Sequence, residues 1–194
     1  IAQALAKNVG TAVPATIIAN PDRTAVEILQ FANEAGAEVA RRVDWGAMQK
    51  TATLTGDGTN KTHALPADFA RMQRGVCMSS GLNIVRPLTQ AEFGTLTPGV
   101  GTPRYFLLTT GTVRLWPYLA NAATVTVSYV SRNWTNSGQT FANDADLALF
   151  GDDLVLKALI VRWRRQKGMD VADYEAEYEA ALADFARSDD RGRF

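Results

Sequence analysis

The side chains able to do chemistry are few, and their spacing argues against most of it. His63 is the single histidine and Cys77 the single cysteine, so no His and Cys set exists to hold zinc and no disulfide can close within the chain. A serine nucleophile would need His63 beside it and a carboxylate behind it, yet no nucleophile elbow frames any serine. The acids come in pairs, Asp144 with Asp146 and Asp152 with Asp153. Two carboxylates roughly 5 to 10 Å apart across a cleft are what glycoside hydrolysis requires, but these lie at a helix start, where the helix dipole favours Asp. Gly56-Asp57-Gly58 and Gly99-Val100-Gly101 lack the Lys and the helix context of a phosphate loop. Arg104-Tyr105-Phe106 and Arg114-Leu115-Trp116 interleave cations with rings, as single-stranded nucleic-acid surfaces do; strand alternation, with aromatics inward and Arg outward, explains them more simply.

The elements that must position these residues begin with Pro103 to Trp134. Three strand-like runs there are separated by Gly111 and by a turn from Pro117 to Ala123. In the last run Val125, Val127 and Tyr129 alternate with Thr124, Thr126 and Ser128, the period of a half-buried strand, and the segment reads as a β-meander. Ahead of it, an Ala-rich piece at 1–9 and two prolines, Pro14 and Pro21, give a short helix and an extended arm. Asp22 to Val43 then takes helical spacing, with Val26, Leu29, Ala32 or Asn33, Gly36, Val39 and Val43 on one stripe, Asp22 as N-cap and Arg41 and Arg42 suited to the C-terminal end. Gly36 admits close approach of a neighbour. Thr51 to Thr55 and Thr62 to Leu65 flank Gly56-Asp57-Gly58 as a hairpin, and a second hairpin turns at Ser79-Ser80-Gly81. Thr89 caps a short helix, and 95–102 reads as a loop. Asp146 to Lys167 is helical and apolar on two faces, so it needs cover on both. Gly168 ends it, Asp170 caps the next helix at about 171–187, and Tyr174, Tyr178, Leu182 and Phe185 form that helix's stripe. The basic cluster Arg162, Arg164, Arg165 and Lys167 faces acids on that helix or on a neighbour.

The fold class is thus α+β: an antiparallel β-rich part, a meander or small sandwich, combined with a long N-terminal helix and a C-terminal helical pair. The 194 residues, 46% of them hydrophobic, can bury one good core. They read as a single domain with an arm and helix at 1–45, a β-rich part at 46–134, a helical pair at 135–187 and an extended tail at 188–194. Net charge is zero, which speaks against a general nucleic-acid glove or a membrane-surface binder. Residues 1–140 nevertheless hold 12 Lys and Arg against 8 Asp and Glu, and residues 141–194 hold 8 against 12. The two parts can attract each other, within one chain or between copies. No apolar run approaches the roughly 20 residues of a membrane span, and no cofactor is expected.

Several short motifs, taken in order, resemble the head-tail connector or adaptor proteins of tailed bacteriophages and prophages. They are Trp45 closing the first long helix, Leu65-Pro66-Ala67-Asp68-Phe69-Ala70-Arg71, Pro87-Leu88-Thr89 with Glu92-Phe93, Pro103-Arg104-Tyr105-Phe106, and Val113-Arg114-Leu115-Trp116-Pro117. Val125 to Tyr129, the helix through Ala158 to Trp163, Lys167-Gly168 and Tyr174 to Tyr178 complete the series. The resemblance implies a non-enzymatic virion protein of the neck, assembled in the bacterial host cytoplasm. It implies a cyclic homo-oligomer, usually twelvefold, docked beneath the portal protein and joined to tail or stopper proteins, with genomic DNA passing non-specifically through its lumen. On that basis Arg187, Arg191, Arg193 and Phe194 are the portal-binding candidates.

The residues agree with this independently. A helix apolar on two faces, opposite charge in the two parts and unburied arms at both ends are what a head-to-tail cyclic contact requires, because each copy must offer two different patches. Arg41, Arg42 and Arg132 are candidates for contact with DNA phosphates in a channel. Two rivals remain open at this point. One is a tail-associated cell-wall glycan hydrolase using Asp144, Asp146, Asp152 and Asp153. The other is a free-standing β-sandwich module binding carbohydrate through Trp116, Tyr118 and Trp134.

Overall fold

The computed structural model describes Leu5, Pro14 and residues 16–191; apart from Leu5, the short helix expected at 1–9 lies outside them, as do the last three residues. The class is α+β with antiparallel sheets. Two compact units are present, one from the described residues up to Met48 together with those from Arg132 onward, the other from Gln49–Ser131.

In the helical unit, α1 (Arg23–Arg42) starts where Asp22 accepts from the N–H groups of Thr24 at 2.8 Å and Ala25 at 3.3 Å, satisfying two of the donors that a helix start leaves unpaired. Its buried stripe is Ala25, Ile28, Ala32, Ala35, Gly36 and Val39, and Val26 is exposed. Ala32, Gly36 and Val39 are buried as expected, Ala25 and Ile28 take the inward positions ahead of them in place of Val26 and Leu29, and at Gly36 the helix meets a bulky neighbour. That neighbour is Trp134. A Cβ on Gly36 would sit 2.2 Å from its indole, so only glycine lets the ring lie on the helix. Trp134 meets Phe141 edge-on at 4.9 Å and Phe150 at 6.1 Å, and Trp45 meets Phe150 at 5.3 Å.

The second helix, α2 (Gln90–Gly94), belongs to the β unit; α3 (Asp152–Gln166) and α4 (Ala172–Arg191) complete the helical one. The expected start of α3 at Asp146 is corrected by six residues. Asp146 instead folds its own loop, accepting from Ala142 and Asn143 N–H and from the Ser137 hydroxyl; local capture of backbone donors by a short Asp competes with helix. Gly168, at φ +68°, ends the α3 turn, and Asp170 accepts from Ala172 N–H at the start of α4.

The β unit holds eleven short strands among its residues. β1 (Gln49–Thr55), β3 (Phe69–Met72), β4 (Met78–Ser80), β5 (Asn83–Ile84) and β11 (Thr124–Ser131) form one sheet in the order β1-β11-β4-β5, with β3 also on β11. β2 (Thr62–Ala64), β6 (Arg86–Pro87), β8 (Tyr105–Thr109) and β9 (Thr112–Trp116) form the second, in the order β2-β9-β8-β6. β7 (Val100–Gly101) and β10 (Tyr118–Leu119) pair separately, inside what was expected to be a loop. Leu54, Met78, Val125 and Val127 from the first sheet share one core with Phe106, Val113 and Leu115 from the second, the arrangement of a small sandwich.

Two pairings differ from expectation. β1 does not fold back on β2; it runs antiparallel to β11 from Gln49↔Val130 to Thr55↔Thr124, while β2 joins β9. For the same reason the three runs of 103–134 are not a meander: β8 and β9 pair, and β11 leaves for the other sheet. Gly56 directs the chain here by close approach, since a Cβ on it would lie 2.3 Å from Leu119 Cβ and 2.4 Å from the Ala120 carbonyl. Its N–H donates to Ala123 and its carbonyl accepts from Ala122, so the expected turn glycine ties β1 to the segment leading into β11. The Ser79 to Asn83 hairpin and the Thr89 cap form as expected, the latter as a reciprocal capping box with Glu92.

Asp68 links β1, β11 and the turn before β3. It accepts from Lys50 Nζ at 2.7 Å and from the Tyr129 and Ser131 hydroxyls at 2.9 Å. Burial opposes its ionisation, but the bonds from Lys50, Tyr129 and Ser131 outweigh that and hold the carboxyl down to about 2. A depressed carboxyl stabilises fully above its unfolded pKa, about 4, and loses that contribution as pH falls toward 2. Asp68→Asn is expected to cost roughly 1 to 2 kcal/mol at pH 7 and to flatten the acid limb of stability between pH 4 and 2, measured by urea denaturation at a series of pH values. An unchanged acid limb would show that the carboxylate's charge is not what ties the strands.

Candidate assembly interface

The helical unit is built around α3, which is buried from Leu154 to Trp163 apart from Leu156, Lys157 and Arg162. Both of its apolar faces are covered within the chain, α1 on one and α4 on the other, so the cover that two apolar faces require comes from the helices of the same unit. Phe31 meets Trp163 edge-on at 6.2 Å, while Tyr178 and Leu182 of α4 are buried.

Charged seams border this packing. Arg162 of α3 donates to both Glu34, at 3.0 Å, and Glu38 of α1. Lys167 reaches Glu27 at 2.8 Å, and with a smaller share from Arg23 holds that carboxyl below the usual range. Arg42 makes a bidentate pair with Glu179 of α4 at 3.0 and 2.8 Å, which raises its own pKa against the opposing effect of burial. Arg165 pairs with Glu175 and Lys157 with Glu177. The basic cluster thus divides: Arg165, and Arg164 lying 4.2 Å over the Tyr174 ring, turn to α4, while Arg162 and Lys167 turn to α1.

What the unit leaves outward is the far side of α4. Asp173 and Asp184 are exposed there among Ala172, Ala176, Ala180 and Ala183, while Glu175, Glu177 and Glu179, also exposed, are turned into the seams. Phe185, expected inside the α4 stripe, is 37% exposed and stands between two clefts. One, of about 330 Å³, is walled by Leu156, Ile160, Tyr174 and Phe185 with Asp153 on its rim. The other, of about 440 Å³, runs past Trp45, Leu149 and Phe150 to Asp189.

The sequence-derived candidates fall as follows. Arg41 is exposed with no carboxylate partner among the described residues, Arg42 is held by Glu179 and Arg132 is exposed. The tail expected to be extended from residue 188 is helical through Arg191, with Asp189 accepting from Gly46 N–H at 2.9 Å. Arg187 is engaged by the Ala183 carbonyl and Asp184 on its own helix. Arg193 and Phe194 lie outside the described residues.

The four candidate acids are not arranged as an acid and base. Asp144 accepts from Ile17 and Ile18 N–H at 3.0 and 3.2 Å, and Asp152 from Ala148 N–H at 2.8 Å. Asp146, bound by Ser137 and two backbone N–H groups, is held below the ordinary carboxylate range, whereas a catalytic proton donor needs the opposite shift. Asp152 anchors a preceding loop; the residue at the N-cap of α3 is Gly151. Nor do the three proposed sugar platforms form one surface, because Trp134 is buried in the helical unit. His63 and Cys77 are buried in the β unit, where burial lowers the histidine pKa and raises the thiol. Trp116 and Arg114 share one face of β9, both partly exposed, so the rule of aromatics inward and Arg outward fails there. Arg114 lies 5.0 Å over Phe93, and Lys61 5.5 Å over Tyr118.

The helical unit is thus tied by charged seams, leaves apolar rims exposed, and uses Asp144, Asp146 and Asp152 to bind backbone N–H groups. A family model described as SU10 adaptor protein matches residues 2–194, and the chain belongs to that family of phage head-tail adaptors. Membership suggests a phage adaptor role and makes the chain a virion component with head-tail partners. Compared with curated proteins, it matches none. No helix among the described residues is long and apolar enough to cross a membrane.

Gly36→Ala weighs two effects. Alanine gains up to about 1 kcal/mol in helix propensity, but its Cβ would meet the Trp134 ring at 2.2 Å, and overpacking costs about 1 to 3 kcal/mol. A lower urea midpoint is expected; a higher one would mean that the indole moves aside easily and the close approach is dispensable.

Proposed function

We propose that copies of this chain assemble as a ring, in twelvefold register, beneath the portal, joining capsid to tail and continuing the DNA channel. The observation that carries this reading is the match to the adaptor family over nearly the whole chain. The opposite charge of its parts supports it: residues 49–131 hold seven Lys and Arg against three Asp and Glu, while 172–191 hold two against seven. A ring built head to tail needs two different, complementary patches on each copy.

In this reading the end of α4 and the residues beyond it reach the portal through Arg187, Arg191, Arg193 and Phe194, and a stopper or tail protein docks on the opposite side. Arg41 and Arg132 meet passing DNA without reading sequence, as phosphate contacts do. Arg42 joins them only by exchanging Glu179 for phosphate.

Mass in solution, measured with and without the cognate portal, tests the assignment. Co-migration with portal in ring stoichiometry is expected, weakened at least tenfold by Arg187→Glu with Arg191→Glu. Those substitutions are preferable to a deletion from Arg187, which would remove the Asp189 bond to Gly46. A chain that stays monomeric beside portal at every concentration would overturn the ring.

A further inference from the structure

We propose that the β4–β5 hairpin of one copy inserts Leu82 into the α3–α4 cleft of the next copy; this contact rests on the ring reading above. Leu82 is fully exposed, at 103% of its reference area, and Ile84 is 54% exposed. Leu82 follows Gly81, at φ +58°, in a turn where Gly, Asn, Asp or Ser ordinarily stands. A leucine there does nothing for its own fold, since burying such a side chain is worth about 1.5 to 3 kcal/mol and this one buries nothing. Its value lies in burial against another surface. Arg86, just beyond the hairpin, is exposed without a carboxylate partner among the described residues.

The receiving surface has the complementary properties. The cleft between α3 and α4 is apolar on its walls at Leu156, Ile160 and Phe185, and it holds about 330 Å³. Asp153 lines it as well, together with Lys157 and Glu177, which pair with each other, so the charge left over at the cleft is acidic, and α4 carries further exposed acids. A basic unit thus bears the apolar knob and an acidic helix bears the apolar socket. The occupant is a second copy of this chain because knob and socket are different patches of opposite charge on one polypeptide, the condition for a heterologous contact that can close into a ring.

Cross-linking between two variants tests it, in a Cys77→Ser background so that each chain holds one thiol. A disulfide requires Cα atoms within about 7 Å. Leu82→Cys chains mixed with Phe185→Cys chains are expected to give a covalent pair on mild oxidation, and neither variant alone should. Leu82→Asp should raise the concentration for half-assembly at least tenfold while far-UV circular dichroism stays unchanged. Self-linking of Leu82→Cys, or rings that assemble with no mixed cross-link, would overturn the contact and leave the ring standing. Normal self-assembly of Leu82→Asp with lost portal binding would assign the hairpin to the portal, again overturning the proposal. Wild-type chain that never exceeds monomer mass, alone or with portal, would remove the ring and this contact with it.

Discussion

The helical unit depends on the indole of Trp134 lying against the bare backbone of Gly36. Through that ring the residue following the β unit in sequence is fixed onto the helix preceding it, and Phe141, Phe150 and Trp45 gather around the same point. The Trp45 Nε1–H adds a bond to the Val39 carbonyl at 2.9 Å. The β unit enters and leaves as neighbours, because Gln49 and Val130 pair across β1 and β11. An insertion whose ends lie side by side can be carried on a helical scaffold without stretching it. The cluster therefore solves a topological problem: it closes one core from two stretches of chain separated by more than eighty residues.

The acids divide the remaining work by length. Asp, with one methylene, reaches backbone N–H groups close to it, and Asp22, Asp57, Asp144, Asp146, Asp152, Asp170 and Asp189 all do so. Glu, one methylene longer, spans between helices, and Glu27, Glu34, Glu38, Glu175, Glu177 and Glu179 all pair with a basic residue of another helix. The seams themselves are half exposed, so each pair contributes little stability; their effect is to fix which helix lies where along its neighbour.

Much of the local architecture could be read from the residues. Asp22, Thr89, Gly168 and Asp170 mark helix ends by hydrogen-bond chemistry that acts within a few residues, and the alternation of Val125 to Tyr129 with Thr124 to Ser128 fixes a strand. What could not be read depends on partners distant in sequence. Period two tells which face of β11 is buried but not which strand lies beside it, so the pairing of β1 with β11, in place of a β1–β2 hairpin and a 103–134 meander, is not legible in the residues. Val26 is apolar and keeps helical spacing, yet it is exposed while Ala25 beside it is buried; which of two adjacent stripes faces inward is set by what the helix packs on, and that lies far off in sequence. The start of α3 was hidden because Leu147 and Phe150 keep helical spacing while Asp146 folds the backbone back. Phe185 keeps the spacing of the α4 stripe and Leu82 sits in a turn, and only the folded chain shows that both are exposed.

A ring subunit meets conflicting demands, since it must remain dispersed before assembly and hold firmly afterwards. Exposed charges answer the first demand and set register and encounter rate, yet contribute little affinity each. Affinity has to come from a few apolar side chains buried at the centre of each contact. In the proposed ring, contacts centred on a few apolar side chains such as Leu82 and Phe185 can be weak in pairs and still stable once the ring is closed. Closure adds a contact between subunits already tethered, at an effective concentration far above that in solution. Docking on a portal that is already a ring would act in the same way, because each copy seated there raises the local concentration of the next.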